Sequence, residues 1–205
     1  MKFWEINNAI KEEMRLDPGL VLDSERTRFI NDCMDNIGAL QLIELTVTQT
    51  LVVSQYPTSP TGLGKIRSLY WNDVKLAMLP SDKDVNSTGE PIGYILEADS
   101  VRLYPKPMAP GSLRWTYTGT PPYVTEAILT DETSSSEPAL PVSWHSLLIE
   151  YACHRSHRKN GNILMANQYK KDYDSNMASK VRAYVSSLNS RRLDSSKPEE
   201  GGGDY

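Results

Sequence analysis

The three histidines of this chain all fall within SWHSLLIEYACHRSHRK, and they are the first place to look for chemistry. Glu150, His154 and His157 stand at i, i+4 and i+7, so on a helix they share one face and can present nitrogen and oxygen to a metal. The spacing is not HExxH, and no histidine elsewhere in the chain completes a site. A solvated or interfacial basic face accounts for the same residues, and no metal is expected.

Ser143, His145 and Ser146 lie side by side in SWHS, but neighbouring helical residues point in different directions and no GxSxG elbow surrounds them. Ser143 reads better as a helix cap. TGLGKIRS holds Gly62, Gly64 and Lys65 without the GxxxxGK[ST] order of a phosphate loop, and reads as a hairpin connection. The acidic pairs Asp172/Asp174 and Glu199/Glu200 show no arrangement that specifies glycoside hydrolysis. No catalytic, cofactor-binding or metal-binding residue is assigned, and hydrolase is the weakest functional class.

The remaining candidates are aromatic. Trp71, Tyr70, Tyr94, Tyr104, Trp115 and Tyr117 are concentrated in the middle of the chain. Such side chains can stack on sugars or bases, but at strand spacing they more often fill a core or a protein interface.

Two helical segments come first. Phe3, Ile6, Ile10 and Met14 recur at helical spacing until Asp17-Pro18-Gly19, and Phe29, Ile30, Cys33, Met34 and Ile37 form a second stripe after a cap at Asp23 or Ser24. From Ile43 the period becomes two. Ile43, Leu45, Val47, Gln49 and Leu51 alternate with Glu44 and threonines, and further strands follow at Leu69-Trp71, Val74-Leu76 about an Asn72-Asp73 turn, GYILEADSVRLYP and SLRWTYTG. Val101-Leu103 and Leu113-Tyr117, on either side of three prolines, read as one proline-bordered hairpin. After TDETSSSEPALP a helix carries Trp144, Leu147, Leu148, Tyr151 and Ala152 and ends at Asn160-Gly161. The last helix, from about Ile163 to Leu188, shows Ala166, Tyr169, Tyr173, Met177, Val181, Tyr184 and Leu188 on one side.

The expected fold is α+β: a helical bundle built from residues 1–42 and 138–190, with a small antiparallel β-sandwich or barrel inserted at 43–125. Residues 191–205 are expected to be a flexible tail. Within 205 residues this is one core and an insert. A formal net charge of -4 argues against a general grip on nucleic acid. Met1-Lys2-Phe3-Trp4-Glu5 does not open like a secretory leader, no apolar run is long enough to span a bilayer, and Cys33 and Cys153 suit reduced core thiols in the cytoplasm.

The order of features resembles the head-to-tail adaptor (connector) proteins of tailed bacteriophages: a helix with Ile30-Asn31, then GEPIGYILEADSVRLYPKP, LRWTYTGTPP and LPVSWHSLLIEYACHRSHRKNG leading into a long helix. Pro91, Tyr94 and Val101-Arg102-Leu103-Tyr104-Pro105 with Pro107 match the family's G-x-P-x-x-Y and i-x-L-x-P-x-P pattern. The strand-rich insert departs from the shorter members. The resemblance covers residues 1 to 190 and implies a virion protein of the neck, assembled in the host cytoplasm. It implies a ring of twelve identical subunits between the portal and the tail or neck proteins. DNA would pass only in transit, at ejection, and no membrane or cofactor is involved. Candidate interface residues are Trp71, Tyr104, Trp115, Tyr117, Arg191, Arg192, Leu193 and Tyr205. The alternative of another class is a carbohydrate- or protein-binding β module on a helical stalk.

Overall fold

Helical spacing of Phe3, Ile6, Ile10 and Met14 produces α1 (Phe3–Glu13), whose buried stripe is these same residues together with Asn7. Glu5 reaches back to accept from the Lys2 N–H at 2.8 Å, and the Phe3 N–H donates to the Ser136 carbonyl at 3.1 Å, so two of the first turn's orphan donors are satisfied. The computed structural model describes residues 1–14, 21–53, 56–80, 87–97 and 100–194, with side chains described as far as residue 187. In α2 (Asp23–Gly38), Phe29, Ile30, Cys33, Met34 and Ile37 are all buried. Glu25, not Asp23 or Ser24, closes the start of α2 by accepting from the Leu22 N–H at 3.1 Å. Asp23 is thereby released for a buried polar cluster described below.

Two units divide the chain. One comprises residues 1–30, 125–136 and 141 onward; the other comprises 31–124 and 137–140. The division falls inside α2, at Asn31, where the sequence places it at 43.

In the first unit the chain adds α3 (Glu126–Thr130), a short helix that the sequence pattern does not reveal, capped by the Thr125 hydroxyl. A single 3-10 turn, Val142–Trp144, leads into α4 (His145–Lys159), and α5 (Ile163–Asp194) packs back on it. Ser143 lies inside the 3-10 turn and makes no side-chain cap, because Trp144 occupies the N-cap position. Asn160 and Gly161 end α4 as expected: Gly161 has φ of +75°, and the Asn162 N–H returns to the His157 carbonyl at 2.9 Å. Arg191, Arg192 and Leu193 belong to the last turn of α5, which extends beyond Leu188. Arginine and leucine favour helix, and two arginines suit its negative C-terminal end.

The second unit is built on a four-stranded sheet in the order β1-β9-β2-β3, comprising β1 (Glu44–Leu51), β2 (Leu63–Trp71), β3 (Val74–Lys75) and β9 (Gly111–Gly119). β2 and β3 form the hairpin read from the sequence, with Asn72 and Asp73 at φ of 45° and 66°, the positive pair a type I′ turn needs. A second sheet orders β4 (Ala77–Met78), β6 (Gly93–Glu97) and β7 (Ser100–Tyr104); β5 (Thr88–Gly89) pairs with β8 (Lys106–Pro107). The long ladders are antiparallel, whereas the two-residue β4·β6 and β5·β8 ladders are parallel.

The proline-bordered hairpin expected at 101–122 does not form. β7 pairs with β6, whereas β9 lies between β1 and β2 in the other sheet. Pro105, Pro107 and Pro110 have no N–H to give to a ladder, so the chain leaves one sheet and enters another across this stretch. The opposite end of β9 is held by close backbone approach. A Cβ on Gly119 would collide with the Gly62 carbonyl oxygen and lie 2.9 Å from the Gly64 nitrogen. Gly119→Ala is therefore expected to lower the stability of this unit by about 1 to 3 kcal/mol, as read from the urea midpoint.

The start of this unit is tied to its end by side chains. The Asn31 amide donates to the Val124 carbonyl and accepts from the Val124 N–H, both at 3.0 Å, and the Tyr123 hydroxyl donates to Asp35 at 2.8 Å.

Candidate assembly surfaces

The face of α4 that carries the histidines is a seam against α5. His154 Nδ1 lies 2.9 Å from the Ala166 carbonyl; a carbonyl only accepts, so this nitrogen carries the proton. The His157 ring stacks on Tyr169 with centroids 5.4 Å apart, and Glu150 accepts from the Asn176 amide at 2.8 Å. Tyr151 packs on Tyr173 at 5.2 Å and Trp144 meets Tyr184 edge-on at 6.3 Å. Burial pushes the Glu150 carboxyl above its ordinary value, the sign of a group placed for packing on α5. Cys153, in the middle of the seam, is raised to about 12 by burial and so is a thiol at neutral pH. On the expected α5 face Ala166 and Tyr173 are buried and Tyr169, Met177, Val181 and Tyr184 half-buried, but Glu150, His154 and His157 do not converge. Among the described residues no group of His, Cys, Asp or Glu is placed to hold a metal ion.

The serines of SWHS have structural work. The Lys180 ammonium, from α5, donates to the Ser143 carbonyl and to the Ser146 hydroxyl, the latter at 3.2 Å. Gly62 directly precedes strand β2 and Gly64 and Lys65 lie within it, so no helix N-terminus stands behind them to hold a phosphate.

Beside the seam lies a basic corner. The Arg28 and Arg155 guanidiniums sit 5.3 and 5.5 Å from the Phe29 ring centroid, and with Arg158, Lys159 and Glu25 they line a shallow groove of about 460 Å³. Hydrogen bonds from Lys159 and the Leu22 N–H hold the Glu25 carboxyl below its ordinary value. Next to this corner Ile163, Leu164 and Met165 are exposed, Leu164 at 82%. Three consecutive apolar residues cannot all face α4, and that is the signal in the sequence by which this tip could have been found.

The aromatic candidates of the β unit take a different place from the one expected. Trp115 is 0% exposed, Tyr117 1% and Trp71 3%. Trp115 lies between Val47 and Leu69, and Tyr117 between Leu45 and Ile66, so both stand on the inward rows of the sheet. The Trp71 ring covers Gly111, where any Cβ would strike it. These three residues are corrected from interface to core. These three offer no platform on which a sugar could stack. Tyr104 is half-buried at the end of β7. Arg191, Arg192 and Leu193 sit on the last turn of α5, their side chains beyond those described, and Tyr205 lies outside the described residues.

α5 outruns its partner. Its 32 residues span about 48 Å, whereas the 15 residues of α4 span about 22 Å. Past Tyr184 the described side chains, Val185 to Ser187, are exposed. Most helical stability comes from a packed face, and these three residues present none to the rest of the chain. Among the described residues no helix is long and apolar enough to cross a membrane.

Among curated proteins no sequence matches this chain. A family model described as the SU10 adaptor protein matches residues 1–194, from α1 to the last turn of α5. The chain therefore belongs to the SU10 adaptor protein family and is a phage head-to-tail adaptor.

Proposed function

We propose that this chain is the subunit of a ring, twelve copies in all, that joins the portal to the tail or neck proteins and encloses part of the channel through which DNA is ejected. The ring sits in the neck of the virion, is assembled in the host cytoplasm, and performs no catalysis. The helical unit of residues 1–30, 125–136 and 141 onward and the β unit of 31–124 and 137–140 are its two parts.

The observation that carries this reading is the α5 overhang, considered with the family to which the chain belongs. α5 is about twice as long as the helix it packs on, and another chain laid along its exposed end would add the packing from which most helical stability comes. An acidic chain also suits a conduit, because a lumen that bound phosphates tightly would slow the DNA passing through it.

Mass measurement by light scattering and particle imaging, on the chain alone and with portal, tests the reading; rings are expected, and a monomer under both conditions would overturn it. The contact with the portal is assigned to residues 191–205, with Arg191 and Arg192 as charges and Leu193 and Tyr205 as apolar anchors. Repetition around a ring multiplies a weak contact through effective concentration. Deleting 191–205 is expected to leave the circular dichroism of the chain unchanged outside the last helical turns, while adaptor occupancy on portal-bearing heads falls at least tenfold, within the range that multivalency supplies. Equal occupancy would show that these residues do not reach the portal.

A further inference from the structure

We propose that the sheet β1-β9-β2-β3 continues from one copy of the chain to the next, with β1 of one subunit lying parallel to the first residues of β2 in its neighbour. The proposal rests on the ring reading above and names the surface by which such a ring closes.

The sheet has two open edges on opposite sides. β1 pairs with β9 along its whole length, from Glu44↔Thr118 to Leu51↔Gly111, and with no other strand among the described residues. β3 covers β2 only at Tyr70 and Trp71, so residues 63–68 have β9 on one side and no strand on the other among the described residues. Outward N–H and C=O groups on such edges are templates for another strand. Most exposed edges are guarded by proline, lysine or a bend, yet ELTVTQTL has neither proline nor lysine, and three threonines and a valine favour pairing.

Unlike edges make a ring. β1 pairing with β1 of another copy would be two-fold and would stop at a dimer, whereas β1 pairing with β2 repeats without exhausting itself. Direction follows from the topology. β1 is antiparallel to β9 and β9 is antiparallel to β2, so β1 and β2 run the same way. A modest rotation about a ring axis keeps that direction, and the neighbour's β1 arrives parallel to β2.

Register follows from the rows of the sheet. Thr118 stands opposite both Glu44 and Lys65, Tyr117 opposite both Leu45 and Ile66, and Thr116 opposite both Thr46 and Ser68. Setting Glu44 beside the neighbour's Lys65 continues these rows, with Arg67 the extra residue between the second and the third. It places carboxylate against ammonium on the exposed face, where both residues lie, and Leu45 against Ile66 on the other. A groove of about 610 Å³ runs along the open stretch of β2, walled by Leu63, Ile66, Tyr94, Leu96 and Met78. Leu96 and Met78 are exposed there and would be covered by the arriving strand.

The test combines cross-linking with charge exchange in the full chain. With Glu44→Cys and Lys65→Cys together, oxidation should give a ladder of covalent multimers on a non-reducing gel, since adjacent strands bring Cα atoms within disulfide range. Either substitution alone should give none, because Cys33 and Cys153 are buried. Glu44→Lys or Lys65→Glu alone should raise the concentration for half-assembly about fivefold, the scale of one cross-strand charge pair, and the two together should restore it. Rings of normal mass with neither ladder nor rescue would overturn the edge pairing and leave the ring reading standing. A ladder that stops at dimers would also overturn it, since it reports a two-fold contact. A wild-type chain that stays monomeric with and without portal removes both.

Discussion

Trp115→Ala is expected to unfold the β unit well before the helical part of the chain melts. Trp115 is wholly buried in the central strand of the sheet, with Val47 on one side and Leu69 on the other, so its removal leaves a hole that three strands must share. Truncating a buried tryptophan costs about 3 to 5 kcal/mol, transfer and cavity together. A domain of this size has only about 5 to 15 kcal/mol to lose. Trp115 belongs to a strand whose two neighbours, β1 and β2, are also the proposed inter-subunit edges. Assembly should therefore fail in proportion to unfolding. Urea titration followed by tryptophan fluorescence and far-ultraviolet circular dichroism measures the first, and light scattering on the folded fraction measures the second. A midpoint unchanged from wild type would contradict the core placement; a fully folded variant that still failed to assemble would return Trp115 to the interface.

The strands and helices themselves were legible because their periods are clean. Glu44–Leu51 alternates without interruption, Asn72-Asp73 supplies the two positive φ values of its hairpin, and the stripe from Ala166 to Tyr184 faces α4 as its spacing requires. Pairing was less legible. Val101–Leu103 and Leu113–Tyr117 are neighbours in sequence with matching alternation, and only the tertiary structure shows that three prolines send them to different sheets. α3 was missed because five residues give no period to read. The Asn31–Val124 clasp joins residues far apart in the chain through one amide, a contact that no local pattern announces. The aromatics show the limit for function. Alternation placed Trp115 and Tyr117 on one face, but whether that face meets a core or a partner depends on what covers it. The open edges are likewise a property of strand order, which composition does not carry.

A second large effect is expected at Arg26, and it should depend on pH. This side chain is buried, with 7% of it exposed, and its guanidinium serves three acceptors in three directions: the Asn7 amide oxygen at 2.9 Å from Nε, the Val21 carbonyl and the Asp23 carboxylate. Asn7 is itself buried and donates to Asp23 at 3.3 Å, and Lys11 stands 3.6 Å from the same oxygen. Arg26→Ala removes all of the guanidinium's bonds at once and leaves the buried Asn7 amide oxygen and the Val21 carbonyl without that donor, a loss of about 3 to 5 kcal/mol at neutral pH. Lysine should not rescue it, since one ammonium on a flexible stem cannot hold the planar fork that these acceptors fit. Burial alone would raise the Asp23 carboxyl, but hydrogen bonds from Arg26 and Asn7 and the charges of Arg26 and Lys11 outweigh it and hold the group below its ordinary value. A depressed folded value stabilises the fold above the unfolded value, near 3.9, and that contribution is lost as pH falls through the folded one. In Arg26→Ala the Arg26 hydrogen bond and charge are gone and only Asn7 and Lys11 still oppose burial, so the Asp23 carboxyl is held less far below its ordinary value and contributes less stability above it. The gap between the two urea midpoints should be widest at pH 7 and narrow below about pH 4, where Asp23 is protonated in the unfolded chain of both. A gap that stayed constant from pH 7 to pH 3 would mean that Arg26 acts by packing alone, with its charge making no contribution through Asp23.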